Sequence, residues 1–385
     1  MFNFYISAFL ADLALGAVLL SIPLFLIYMF GATSLTLGVF GAIGSLVYSA
    51  GVIIVGGMAD RFIRRKILLV GCCLFISANS VLPFLKTTEQ VLIAYIVGSA
   101  SMCMFWPTLQ SWLSQGLNKH KLVNSLMIFN ISWSAGLMLG FFFAGFLFAF
   151  NPKAPFALGV LLVLAVIAFL YRQPLVPPEK NGGGERAIPE IDKNRPANHA
   201  VFLYVAWCAN FVSWFNVGIM RNLFPKLGTE LGFSAGMVGI FIFVITLAQT
   251  VMFFILGKTH KWHYKLWLLI LFQLFAFFSL LAVAFSSQTA HLIIAMIFLG
   301  LSCGMTYFSS IFYSLYGSAD KGKKSGLHEA FLSAGAFFGP LAGGFLAQKF
   351  GIRAPYIVAA AVSIIAVAAE AALVKFIAGN VRKHE

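Results

Sequence analysis

Three carboxylates and one guanidinium lie inside apolar stretches that are long enough to cross a membrane, and these groups are the strongest candidates for chemistry. The carboxylates belong to Asp12, Glu329 and Glu370, and Arg221 lies towards the end of its stretch. A charge in the hydrocarbon core costs roughly 2.5–3.5 kcal/mol on insertion scales, so a charged residue there is a candidate for an ion or substrate path. Asp12, the deepest, is predicted to bind a proton or a cationic group; the alternative is a carboxyl group held by a neighbouring helix.

The other two carboxylates have competing interpretations. Glu329 follows His328 at the start of a predicted helix, where it fits either a proton shuttle or ordinary compensation of the helix dipole. Glu370 lies near the end of the last apolar stretch, where packing or reaching out to the interface is the favoured interpretation.

Polar and aromatic side chains also recur at helical spacing. One stripe has intervals of four, three, four and three residues, which places its members on one helical face: Ser302, Thr306, Ser309, Tyr313 and Tyr316. Such a stripe either lines a water-filled path or joins helices by hydrogen bonds. A second face carries Asn210, Trp214 and Arg221, and the remaining candidates are Trp106, Gln110, Asn130, Trp133 and Gln249. Singly, each is as typical of packing as of solute contact; together they predict a cavity rich in aromatic rings, amides and hydroxyls.

Other kinds of site were sought in the sequence. It contains no phosphate-binding loop of the form G-x-x-x-x-G-K-S/T, no His/Cys metal spacing and no assignable Ser/His/Asp set. The five cysteines fall in apolar stretches, which indicates buried thiols. We therefore expect no enzyme activity, no cofactor and no metal site.

The elements that position these residues follow from composition. Hydrophobic residues make up 61% of the 385 positions and charged residues 10%, against roughly 25% charged in soluble domains. Apolar runs of about 20 residues predict an all-helical membrane protein. We predict twelve spans at residues 4–30, 36–58, 67–86, 89–115, 125–150, 155–172, 200–225, 235–257, 266–287, 289–316, 326–349 and 354–378.

The chain divides into two units of six helices. Residues 173–199 contain proline, a glycine triplet and mixed charge, which is typical of a flexible linker. The linker separates an N-terminal bundle, 1–172, from a C-terminal bundle, 200–385. The 26 Lys and Arg residues divide into 20 on the side of both termini and six on the other. This bias predicts cytoplasmic termini, and it explains the net charge of +14 better than a nucleic-acid site does.

An internal repeat supports the division. Residues 134–156 align with 333–356, matching three glycine pairs: Gly136 with Gly335, Gly140 with Gly339 and Gly145 with Gly344. Aligning the glycines of the second and eighth spans makes Asn210 the repeat partner of Asp12. A six-plus-six duplication is typical of transporters whose bundles rock around a central site.

The stretch "GGMADRFIRRK", residues 56–66, resembles the loop 2–3 signature of the major facilitator superfamily, G-x-x-x-D-R-x-G-R-R/K. The matching positions are Gly56, Asp60, Arg61, Arg64 and Arg65, while Ile63 replaces the usual second glycine. The resemblance implies two pseudo-symmetric six-helix bundles, a cavity lined by helices 1, 4, 7 and 10, and a gating contact of Asp60 with the start of helix 11 near Ser325. The alternative is that the basic residues only fix topology. The second-half copy, residues 256–265, has no aspartate.

The resemblance and the residues together predict a secondary active transporter of a small organic solute that works by alternating access, with or without proton coupling. An exporter of amphipathic drugs or lipids is the alternative within transport, and a non-transporting sensor is the alternative outside it. Family patterns for the proton route and for export are incomplete: helix 4 has no arginine, and Phe141 replaces a helix 5 proline. We expect a monomer in a prokaryotic plasma membrane, with a small molecule, protons and lipid as partners and no nucleic acid.

Overall fold

The computed structural model describes residues 2–56, 62–114, 119–173, 199–316 and 321–381. These ranges contain no strand and form twelve long helices: α1 Phe2–Phe30, α2 Ser34–Gly56, α3 Arg64–Val81 with a 3₁₀ turn Leu82–Phe84, α4 Thr88–Ser114, α5 Lys119–Phe150, α6 Ala154–Tyr171, α7 His199–Glu230, α8 Ala235–Lys258, α9 Leu266–Phe285, α10 Thr289–Leu315, α11 Lys321–Phe350 and α12 Ala354–Val381. Each contains a segment long and apolar enough to cross a membrane. The predicted all-helical membrane fold with twelve spans is confirmed.

Helices form here because a bilayer offers no hydrogen-bond partners, so each segment has to satisfy its backbone internally. Four of the helices contain a proline. One of these prolines, Pro225 in α7, stands where we predicted the seventh span to end, and that predicted end is wrong. The seventh span was expected to end at residue 225, but α7 continues to Glu230. Arg221 therefore lies well inside a helix rather than at its end.

Each half is built around one central helix. In the N-terminal half, α1 packs against α5 and α6, and α3 packs against α4 and α6; in the C-terminal half, α7 packs against α10, α11 and α12. The two central contacts are equivalent. A Cβ on Gly140 would meet the backbone of Leu13, and one on Gly339 would meet the backbone of Phe215. The two-bundle, pseudo-symmetric arrangement predicted from the sequence repeat is confirmed.

These glycine contacts also correct the repeat register. Gly136 faces the backbone of Phe9 just as Gly335 faces that of Phe211. The same spacing relates Leu13 to Phe215, so the structural partner of Asp12 is Trp214. Asn210, the partner inferred from the second and eighth spans, lies one helical turn away and corresponds to Ala8. The close backbone contacts of α5 with α1 and of α11 with α7 fix which residues of α1 and α7 correspond. The glycines of α2 and α8 do not fix this correspondence.

The halves meet along two helix pairs, α2 with α11 and α5 with α8. We call the end at which α1 and α7 begin the terminal face, and the end at which they finish the opposite face. Near the opposite face, a Cβ on Gly38 would lie 2.8 Å from the Cα of Gly344, and one on Gly145 would lie 3.0 Å from the Cα of Gly239. Lys226 adds a bond across this face, its Nζ donating to the carbonyl of Ala32 at 2.9 Å.

The loop between α2 and α3 is only partly described. Asp60 and Arg61 lie outside the described residues, so the predicted gating contact stays a prediction. Gly56 ends α2, and Arg64 and Arg65 begin α3. The Arg65 guanidinium lies 4.2 Å from the ring of Tyr171 on α6, a contact within the N-terminal half.

The corresponding loop of the second half is filled with aromatic side chains. Its Trp262 is buried and donates to the carbonyl of Leu256 at 3.1 Å, and His263 stacks on Phe312 at 4.1 Å. Burial and the neighbouring His260 lower the pKa of His263. This loop, which has no aspartate, is therefore held against α10 by aromatic packing.

The predicted division into residues 1–172, 173–199 and 200–385 places nearly all of its linker outside the described residues. The division therefore stays a prediction, although α6 ends at Tyr171 and α7 begins at His199.

Candidate functional site

A cavity of about 360 Å³ lies between the two halves. Its wall includes residues of α1, α2, α4, α5, α7, α8, α10 and α11. Helices 1, 4, 7 and 10, which the resemblance implied, therefore share the wall with four others. This follows from the way the halves meet, since α2 with α11 and α5 with α8 form the two seams beside the cavity.

The cavity opens towards the terminal face. Gln110, Asn130 and Glu329 line that end, and all three are exposed, Glu329 with 56% of its side chain. Towards the opposite face the wall reaches the fully buried Leu26 and Leu37. Beyond them lie the glycine contacts and the Lys226 bond. A solute can therefore enter from the terminal face and meets a closed end on the other side.

Two opposite charges lie deep in this cavity. Asp12 of α1 is 3% exposed and lies across the cavity from Arg221 of α7. The two groups attract each other electrostatically without forming an ion pair. Neither forms a hydrogen bond with any residue that the structure describes. The cavity thus presents an acceptor and a fork of donors to whatever occupies it.

Aromatic rings hold the guanidinium in place. The central carbon of the Arg221 guanidinium lies 5.4 Å from the ring of Phe141 on α5 and 5.4 Å from the ring of Trp214 on its own helix. A cation over a ring face is stabilised by the ring quadrupole. The arginine side chain therefore points back along α7 into the cavity, as long helical side chains generally do.

The mouth of the cavity carries a second polar cluster. Glu329 and Tyr48 line the mouth, and Glu329 lies beside His328, whose Nε2 is 3.9 Å from the Glu329 carboxylate. His328 itself is buried, and its Nδ1 shares a hydrogen bond of 2.7 Å with the hydroxyl of Ser310. Because α11 begins at Lys321, Glu329 lies more than two turns inside the helix and not in its first turn, where a carboxylate compensates the helix dipole. The dipole interpretation is therefore wrong, and the proton shuttle stays a prediction.

The remaining wall is aromatic and amide-rich. Trp106 and Trp133 line it, the latter donating from Nε1 to the amide oxygen of Asn130 at 3.0 Å. Phe40 and Tyr95 stack with ring centroids 5.8 Å apart. Such a surface suits flat apolar solutes, because rings give a large contact area and can face a cation.

Eight of the twelve predicted path residues lie at the cavity: Asp12, Trp106, Gln110, Asn130, Trp133, Trp214, Arg221 and Glu329. The other four are buried in the C-terminal half outside its wall: Asn210, Gln249, Thr306 and Tyr313. Their roles in transport, like those of the first eight, stay predictions.

The stripe on α10 faces protein instead of the cavity. Thr306 donates to the carbonyl of Ser302 at 3.1 Å, and Ser309 to that of Met305 at 2.7 Å. Tyr313 accepts from the backbone N–H of Tyr264 at 2.8 Å. Two of these bonds lie within α10, and one joins α10 to the loop before α9. Only Tyr313 therefore fits the interpretation that the stripe joins elements by hydrogen bonds.

Glu370 also faces protein. It is 2% exposed and accepts a bond of 2.7 Å from the side-chain amide of Gln273, which joins α12 to α9. The packing interpretation fits this position, and the group does not reach out to the interface.

Sequence reasoning missed several wall residues, chiefly Tyr48, Tyr95, Tyr307 and Asn222. Tyr307 directly follows Thr306 in the sequence. It therefore lies on the neighbouring face of α10, which the predicted stripe did not include. The sequence does not show what covers Tyr48 and Tyr95, and only the packing of α2 and α4 shows that they face the cavity. A tyrosine hydroxyl in an apolar run was the available signal, since it requires a polar partner or water.

Comparisons with known proteins agree with the fold. The model of the Major Facilitator Superfamily matches residues 4–210 and again residues 206–383. Multidrug resistance protein 1 of Bacillus subtilis (strain 168) is 24% identical over 307 residues, 76% of each chain. Multidrug resistance protein 2 of the same organism is 22% identical over 372 residues, which cover 93% of this chain and 91% of the relative.

Solved structures show the same fold. The nucleoside transporter NupG superposes with a TM-score of 0.75 at 14% identity, covering 97% of this chain and 98% of its own. A bacterial homologue of the human lysosomal transporter Spinster, in an inward-facing and occupied conformation, gives 0.72 at 14% identity over 97% and 95%. Because the family model matches both halves and the twelve helices enclose the expected cavity, the chain belongs to the major facilitator superfamily and is a multi-pass membrane transporter, not an enzyme.

Proposed function

We propose that this transporter carries a small amphipathic organic solute across the membrane by secondary active transport and alternating access. The observation that supports it is the cavity between the halves, open at the terminal face and closed at the opposite face by glycine contacts. Rocking two bundles about such a site exposes it to each side in turn. The few charges and many rings of the wall favour a solute that is partly apolar.

The membrane orientation follows from the basic residues. Because Arg221 lies inside α7, it no longer counts among the basic residues of the opposite face. The excess of Lys and Arg on the side of the termini is not reduced by this change. That excess favours cytoplasmic termini, in a prokaryotic plasma membrane. The cavity then faces the cytoplasm in this conformation. The protein acts as a monomer, surrounded by lipid.

Export of amphipathic drugs is the more specific version of this proposal. Its support is the likeness to two proteins named multidrug resistance proteins, together with Trp106 and Trp133 in the cavity wall. An aromatic wall tolerates solutes of different shape, since every flat apolar molecule has a face to stack.

Asp12 supplies the coupling step in this proposal. Asp12 has no hydrogen-bond partner in the part of the chain that the structure describes. Such a carboxylate exchanges its ligand readily, so Asp12 binds either a proton or a cationic group of the solute. These two roles make different predictions for the Asp12→Asn protein in liposomes.

The test uses ethidium, a flat aromatic cation, with purified protein in liposomes. Wild-type protein is expected to accumulate ethidium when a pH gradient is imposed and to exchange it in counterflow without one. If Asp12 carries the proton, Asp12→Asn loses accumulation and keeps counterflow; if Asp12 binds the cation, both are lost.

One control variant and one contradicting outcome complete this experiment. Glu370→Gln changes a buried carboxylate outside the cavity and is expected to keep both activities. A protein whose melting temperature rises with ethidium but that shows neither accumulation nor counterflow would act as a sensor and would contradict the transport proposal.

A further inference from the structure

The polar groups deep in the cavity are arranged for a solute that carries two different charges. Asp12 and Arg221 face each other across the cavity and form no ion pair. An arginine and an aspartate that served only each other would lie in contact, because a buried charge without a partner is costly. Their separation leaves both available to a third molecule.

The distance between them sets the shape of that molecule. The register fixed by the glycine contacts places Arg221 at the level of Leu19, seven residues beyond Asp12. Seven residues correspond to about 10 Å of helix rise, and the arginine side chain reaches back over part of that distance. The two charged groups therefore lie at different depths in this arrangement, and a solute has to extend from one to the other. A solute with its charges at opposite ends of a rigid body fits it.

The surroundings of Arg221 favour an anion with planar geometry. The rings of Phe141 and Trp214 flank the guanidinium and restrict its motion. A guanidinium held over ring faces keeps its in-plane N–H groups free for a bidentate bond to a carboxylate. Trp214 adds a further donor, since its buried Nε1–H has no acceptor among the residues that the structure describes.

We propose that the cavity selects amphoteric aryl solutes, with a carboxylate on Arg221, a flat body against Phe141 and Trp214, and an amine on Asp12. This inference rests on the proposed transport function and names the class of its substrate. It assigns Arg221 to the anionic end of the solute and Asp12 to the cationic end.

The experiment compares three probes that share one ring system: aminomethylnaphthoate with its charges at opposite ends, naphthoate, and naphthylmethylamine. Affinities for the purified protein are measured by titration calorimetry. Wild-type protein is expected to bind the aminomethylnaphthoate most tightly. Arg221→Gln is expected to weaken the aminomethylnaphthoate and naphthoate about tenfold, as loss of a charged hydrogen bond does, while naphthylmethylamine changes by less than about twofold.

Matched variants separate this result from a general structural effect. Asp12→Asn is expected to give the mirror image, with naphthoate retained and the amine weakened. Arg221→Lys keeps the charge without the planar fork and is expected to recover part of the naphthoate affinity. Lys153→Gln removes a basic charge outside the cavity and is expected to leave the ranking of the three probes unchanged.

Two results would overturn the inference. One is naphthylmethylamine binding to wild-type protein as tightly as the aminomethylnaphthoate does; the other is an unchanged ranking in Arg221→Gln protein that still binds the amine. Counterflow of the amine without preference for the amphoteric probe would remove this substrate class and leave the transport proposal standing. Binding of the amphoteric probe without counterflow would contradict the transport proposal and leave the assignment of the two charged ends standing.

Discussion

At the scale of single residues, a buried carboxylate is informative only together with its partners. Glu370 and Asp12 are almost equally buried, at 2% and 3% exposure. Glu370 accepts a hydrogen bond from Gln273 inside the C-terminal half, whereas Asp12 faces the cavity without a hydrogen-bond partner among the described residues. Composition and hydropathy treat the two alike. The contacts distinguish a packing residue from a candidate for binding.

Two asparagines on α7 provide a matched test of this distinction. Asn210 and Asn216 are both buried, but Asn216 donates to the hydroxyl of Ser363 at 3.0 Å, while neither amide atom of Asn210 has a partner among the described residues. Asn216→Leu is expected to lower the free energy of unfolding by about 1 kcal/mol, because it breaks an interhelical bond. Asn210→Leu is expected to leave stability unchanged or raise it, since it removes an unsatisfied amide.

Unfolding in mixed micelles, followed by tryptophan fluorescence, measures both variants, and counterflow measures their activity. If the Asn210→Leu protein were stable but had lost counterflow, Asn210 would take part in solute transport. That result would contradict the interpretation drawn from its position outside the cavity wall.

At the scale of helices, close glycine contacts determine where the two halves can touch. Gly145 on α5 lies against Ala235 and Gly239 on α8, near the opposite face. A helix pair approaches this closely only when side chains are absent from the contact. The α5–α8 seam is therefore specific for the conformation closed at that face.

Gly145→Ala is expected to disfavour this conformation. Its Cβ would lie 2.5 Å from the carbonyl oxygen of Ala235 and 3.0 Å from the Cα of Gly239, so the helices have to separate. Overpacking of this kind costs about 1–3 kcal/mol. The Gly257→Ala variant on α8 is the control, because its Cβ would meet nothing within 4 Å.

The readout is a cysteine at Gln110, at the mouth of the cavity, in a background without the native cysteines. Its alkylation by a membrane-impermeant reagent applied at the terminal face is expected to slow in Gly145→Ala and not in Gly257→Ala. Equal rates in the two variants would show that the seam does not govern opening.

At the scale of the whole molecule, one face is closed by contacts between the halves while the cavity opens at the other. Transport needs these two conditions to alternate, so contacts that close one face must be weak enough to break. The bond from Lys226 to the carbonyl of Ala32 is such a contact, because it joins α7 to the loop after α1 and is partly exposed.

Lys226→Met is expected to shift the equilibrium towards opening of the opposite face. Loss of one hydrogen bond of about 0.5–1.5 kcal/mol changes the ratio of the two conformations up to about tenfold. Spin labels at Phe150 and Phe350, which are exposed at this face in different halves, are expected to show a larger share of long distances by double electron–electron resonance. Lys153→Met, whose ammonium lies over the Phe84 ring within one half, is expected to leave the distances unchanged, and an equal shift in both variants would contradict the role of Lys226.

The amino-acid sequence by itself determined the number of helices, most of their ends and the division into two related halves. These features depend on local apolar length, loop charge and a glycine pattern that occurs in two short stretches, each of which can be recognised without knowing how the helices pack. It also selected Asp12 and Arg221, because charge in an apolar run is costly wherever the run packs.

Only the tertiary structure decided which polar residues share the cavity and in what register. The α10 stripe and Asn210 have the spacing of a cavity face, yet they lie inside the bundle, while Tyr48 and Tyr307 line the wall. Periodicity identifies a helical face but not the neighbour that covers it. That neighbour is set by backbone contacts between helices distant in sequence, such as Gly140 with Leu13, and these contacts exist only once the halves have packed.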